Sequence, residues 1–127
     1  MRQPGVAHRK LTTHQKAVLI QVLRVFPDQH VSLTYYPAAN DALSYARDFL
    51  SIFKAIGWEV SDPEFNMIRT ESSAGLALVS GREGCLPPCA EALRDALRIY
   101  GIEVGTFVDT TSEITPGSFI LNIGMPE

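Results

Sequence analysis

Residues 31–60 read VSLTYYPAANDALSYARDFLSIFKAIGWEV, and residues 76–104 read LALVSGREGCLPPCAEALRDALRIYGIEV. Each opens on a short β-rich run, Val31–Tyr36 in the first and Leu76–Val79 in the second. Each then carries an amphipathic stretch at helical spacing. In the first, Leu43, Ala46, Phe49, Leu50, Phe53 and Ile56 make an apolar stripe. In the second, Pro87 and Pro88 open the helix and Leu93, Ala96, Leu97 and Tyr100 make the stripe. Each ends on a glycine suited to a left-handed helix exit, followed by Trp58-Glu59-Val60 or Ile102-Glu103-Val104. Thirty residues suffice for a strand–helix–strand unit, and a helical crossover favours parallel pairing.

The rest of the chain arranges itself around these two units. Thr12 and Gln15 form a capping-box signature before an N-terminal helix with Leu19, Val22, Leu23 and Phe26 on one face. Asn40 is read as the cap of the second helix. Ile102 to Asp109 and Phe119 to Ile123 read as strands, and a short edge strand is expected near 65–68. The fold class is therefore α/β: an open, mostly parallel, three-layer sheet. Its two βαβ-like units cover about 31–60 and 76–108, between an N-terminal helix and a C-terminal strand free to run antiparallel. Residues 1–10 read as a flexible basic tail and 11–127 as one domain.

Composition bounds the function. The chain has 127 residues, 46% hydrophobic and 20% charged, which suits a soluble globular domain. No apolar run approaches a membrane span, and no secretory signal is visible; the cytoplasm is the expected compartment. Net charge is −3, but five basic residues precede the first acid, Asp28. Such a tail suits either an anionic surface or plain solvent. Basic stretches interleaved with aromatics are missing, so no nucleic-acid partner is expected. No nucleophile elbow, zinc-binding helix or kinase set is present, and neither a cofactor nor a metal is expected.

In α/β sheets, ligands sit beyond the carboxyl ends of strands. With both units parallel, a crevice would lie between the loops after Val31–Tyr36 and Leu76–Val79. Its candidate ligand-binding residues are Tyr36, Asn40 and Asp41 on one side and Ser80, Gly81, Arg82 and Glu83 on the other. Arg82 and helix N–H groups would suit a small anion or a nucleotide; the bland reading is a surface loop with an Arg–Glu pair. Cys85 and Cys89 are candidate reactive thiols, Cys89 through a helix N-terminus, or else inert ones. His8, His14 and His30 lack a partner at metal-ligand spacing. Glu59, Asp62, Asp109 and Glu113 either converge as an acid/base or metal pair or are solvent-facing strand ends.

The sequence also resembles soluble α/β domains at the C-terminal end of uncharacterised bacterial membrane-anchored proteins. The likeness lies in Leu11-Thr12-x-x-Gln15, the stretch from Ala46 to Val60, Gly101-Ile102, and Leu121-Asn122-Ile123-Gly124. It implies a sensory or interaction role, a membrane helix upstream of the basic tail, and no catalytic residues. Three readings stay open: a non-catalytic sensor of a ligand or partner, a small hydrolase or transferase, and an oligomerisation module paired through the Phe119–Ile123 strand.

Overall fold

The computed structural model describes residues 9–36, 41–65, 75–81, 86–108 and 118–124. Along the chain run α1 (Thr13–Leu23), β1 (His30–Tyr35), α2 (Ala42–Ala55), β2 (Glu59–Val60), β3 (Glu64–Phe65), β4 (Leu76–Ser80), α3 (Pro88–Ile99), β5 (Val104–Val108) and β6 (Ser118–Ile123). The expected α/β class, open and mostly parallel sheet, and N-terminal helix are all present. The Asn40 cap lies outside the described residues. No described helix is long and apolar enough to cross a membrane.

Both units close as parallel pairs. His30 and Val31 face Glu59 and Val60, while Leu76 to Ser80 face Val104 to Val108. Their helix exits are built alike. Gly57 and Gly101 take positive φ, 83° and 76°. Gly57 N–H donates to the Lys54 carbonyl and Trp58 N–H to that of Phe53; Gly101 N–H donates to Arg98 and Ile102 N–H to Leu97. This is the double bond of a Schellman exit, and its usual apolar contact is present: Trp58 stacks on Phe53, centroids 5.2 Å apart. At the other end of the helical layer, Thr12 and Gln15 exchange both bonds of the capping box.

The sheet order is β2-β1-β6-β4-β5, with β3 beside β2 on the outer edge of β1. β6 lies parallel to β1 along its whole length and antiparallel to β4. The two units therefore run in opposite directions, which corrects the expectation that they lie parallel. Two right-handed crossovers so related are turned half a revolution about the sheet normal, and that rotation keeps both helices on one face. The packing agrees. α1 packs between α2 and α3. One buried cluster joins Leu19, Phe49, Phe53, Leu93 and Leu97 to Val31, Leu33, Leu76, Leu78, Phe119 and Leu121, which by register share one face of the sheet. Among the described residues no helix covers the opposite face, so the described fold has two layers where three were expected. β6 is the central strand, buried at Phe119, Leu121, Asn122 and Ile123; it is no free edge. Among the described residues, the one edge formed by a full strand is β5.

Candidate functional site

Strand direction divides the predicted crevice residues between opposite rims. At the first rim are the end of β1, the end of β6 and the start of α2. Tyr36 is half-buried there, its N–H donating to the Ile123 carbonyl at 2.8 Å. Asp41 lies beside it, the N-cap residue of α2. At the other rim, Ser80 ends β4 and is followed by half-buried Gly81. A five- to six-residue strand separates the rims by about 17 Å, so these two groups do not meet. Asn40, Arg82, Glu83 and Cys85 lie outside the described residues.

At the first rim, Asp41 is spent on the structure. It is 4% exposed and makes no cap for its own helix. Its carboxylate accepts from the Arg9 backbone N–H at 2.7 Å, from Nε at 2.9 Å and from Nη2 at 2.9 Å. Arg9 Nη2 also donates to the Gly124 carbonyl at 2.7 Å, and the guanidinium lies 5.2 Å above the Tyr45 ring. Burial by itself would raise the Asp41 pKa; the bonds and charge of Arg9 outweigh it and hold the carboxyl below its ordinary value. Burial pushes the Tyr45 hydroxyl up to about 12. One turn further along α2, Asp48 accepts from the Leu11 N–H at 3.0 Å and pairs with Lys16 at 3.5 Å. Arg9, read from sequence as tail, thus belongs to the folded body and ties α2 to the end of β6. A hollow of about 250 Å³ remains between Arg9, Tyr45, Leu76, Ile102 and Glu103.

The second rim holds Ser80, Gly81 and a notch of about 280 Å³. Leu86, Glu91 and Arg94 line it from the α3 side, Ser80, Thr106 and Val108 from the sheet. The Ser80 hydroxyl donates to the Phe107 carbonyl at 3.3 Å. Cys89 sits in the first turn of α3 as expected, but it is 1% exposed. Its thiol faces the Gln29 side-chain carbonyl at 3.3 Å, and burial raises its pKa. A helix N-terminus would favour the thiolate; burial opposes it and prevails here.

Sequence reasoning places a strand over 102–109 but does not show that it forms an edge. Val104-Gly105-Thr106-Phe107-Val108 contains no charge and no proline, the usual devices that protect an edge. Among the described residues nothing pairs with its outer side. The Phe107 carbonyl faces β4, since it accepts from Ser80. Successive residues alternate sides, so Val104, Thr106 and Val108 turn their N–H and C=O groups outward. Thr106 is exposed and Val108 is 47% exposed. The signal was legible: an uncharged five-residue strand that closes a βαβ unit. Among the described residues no group of three His, Cys, Asp or Glu could hold a metal. His14 and His30 are exposed, and His30 lies 3.7 Å from exposed Glu59. Comparison with family models, curated proteins and solved structures gives no match to this chain.

Proposed function

We propose that this chain is a non-catalytic recognition domain that binds a protein partner by strand addition at β5. One observation carries this reading: a full-length edge strand presents an uncharged, outward row of main-chain donors and acceptors. Strand addition draws affinity from such rows and specificity from neighbouring side-chain hollows, and the notch beside Arg94 is such a hollow. The polar groups first read as a site are engaged within the fold: Asp41 by Arg9, Ser80 by Phe107, Cys89 by Gln29. The resemblance to membrane-anchored proteins supports a sensing role at the end of a tether. The test is a titration of the ¹⁵N-labelled chain with a synthetic peptide of residues 103–109. Shifts are expected at Val104, Thr106, Val108 and Arg94, and Thr106→Pro should abolish them. Shifts at the Arg9–Tyr45 rim, or none, would overturn the reading.

The notch supports a second reading, a small-anion site. It lies beyond the carboxyl ends of β4 and β5, where α/β ligands collect, and Arg94 supplies a cation. Its volume is below the several hundred Å³ usual for larger ligands, which favours a phosphate or small carboxylate over a nucleotide. Glu91 on the same wall opposes an anion, and strand addition is preferred for that reason.

A further inference from the structure

We infer that the partner at this edge is a second copy of the chain, joined β5 to β5 in antiparallel register about Thr106. This rests on the reading of β5 as a strand-addition edge and adds the identity of the partner and the register.

The backbone fits a two-fold axis through Thr106, normal to the sheet. The outward residues are Val104, Thr106 and Val108, so Thr106 would face Thr106 of the second copy and Val104 would face Val108. Each opposed pair would exchange both N–H···O=C bonds. On the other face, Gly105 would oppose Phe107. A small residue there is suited to a neighbouring ring: the Phe107 ring of the same strand already lies 3.2 Å from where a Gly105 Cβ would stand. The axis keeps like faces together, so the two helical layers would lie on one side of a continuous sheet.

The helices above repeat the complementarity. Glu91, Arg94, Asp95 and Arg98 follow one another at spacings of three, one and three along α3. Glu91 and Arg94 line the notch with Thr106 and Val108, so their side of α3 looks toward the outer side of β5; Asp95 and Arg98 are exposed next to them, Asp95 lying 3.3 Å from Arg94 of its own chain. Two copies related by the same axis run their α3 helices antiparallel. Glu91 then faces Arg98, and Arg94 faces Asp95; no like charges oppose. Neighbouring strands lie about 4.8 Å apart, so helices seated over adjoining β4–β5 pairs would approach to about 10 Å, a normal packing distance. The helices are needed, because a stable interface buries about 1,200 Å² or more, beyond the reach of a five-residue strand pair.

Sedimentation velocity from low micromolar to near-millimolar chain tests this. The expected species is a reversible dimer of twice 14.0 kDa. Thr106→Pro removes an outward N–H and leaves the β4 ladder intact; it should give a monomer with an unchanged circular dichroism spectrum. Should that variant misfold, a charge swap decides. Glu91→Arg should weaken the dimer by about tenfold, and Glu91→Arg with Arg98→Glu should restore it. A dimer that Thr106→Pro leaves intact, or a double swap no tighter than the single one, overturns the proposed register. A chain monomeric throughout overturns self-pairing. If the 103–109 peptide still shifts β5 in that monomer, strand addition stands with another partner; if it does not, both readings fall.

Discussion

The Arg9–Asp41 pair shows how one residue's role depends on a distant partner. A carboxylate at a strand's end before a helix reads locally as a cap or a ligand contact. The guanidinium that claims it lies 32 residues earlier, in a segment without apolar periodicity. No local pattern marks that contact. Removing Arg9 would leave a buried carboxylate uncompensated, and Arg9→Ala is expected to cost about 3 kcal/mol, measured by urea unfolding. The pH dependence follows from sign. The folded pKa of Asp41 lies below its unfolded value. The pair therefore stabilises fully above about pH 4 and is lost as pH falls through the lowered folded value. Asp41→Asn should flatten that acid limb; an unchanged acid limb would show that other carboxylates set it.

At the scale of elements, the sequence was most legible where local chemistry is strong. The capping box at Thr12 and Gln15, the prolines opening α3 and both glycine exits stand where their residue types place them. The two exits rhyme in sequence, Gly57-Trp58-Glu59-Val60 and Gly101-Ile102-Glu103-Val104, because one Schellman geometry is used twice. A Cβ at Gly101 would meet nothing within 4 Å, so its substitution tests the backbone alone. Gly101→Ala is expected to lose about 1 kcal/mol through the positive φ, read from the thermal midpoint. Trp58 leads from the exit of α2 into β2. It also stacks on Phe53, meets Phe119 edge-on at 6.4 Å and donates Nε1–H to the Phe26 carbonyl at 2.7 Å. These contacts fasten the ends of α1 and α2 to the central strand.

For the whole molecule, strand direction decided which residues could meet. Helical crossovers preserve direction; short links that return from the same rim reverse it. β3 and β4 are joined by residues 66–75, and β5 and β6 by 109–117. Each link reverses the chain, which sets β4 and β5 against β1 and returns β6 parallel to β1. A parallel arrangement of the units would have required a third crossover of a dozen or more residues, longer than the link between β3 and β4. The resulting sheet is pinned at its centre. Hydrogen exchange in dilute monomer should be slowest at β6 and β4, buried and paired on both sides, and fast at β2 and the outward amides of β5. Fast exchange at β6 would contradict its central place.

Apolar periodicity, capping residues and glycine exits act over a few neighbours, and they were enough to determine three helices, two crossover units and an α/β class. The rims occupied by Asp41 and Ser80, the central seat of β6 and the open side of β5 depend on contacts far apart in the chain. Only the closing of the sheet decided them, because direction and burial belong to the packed layers and not to any one segment.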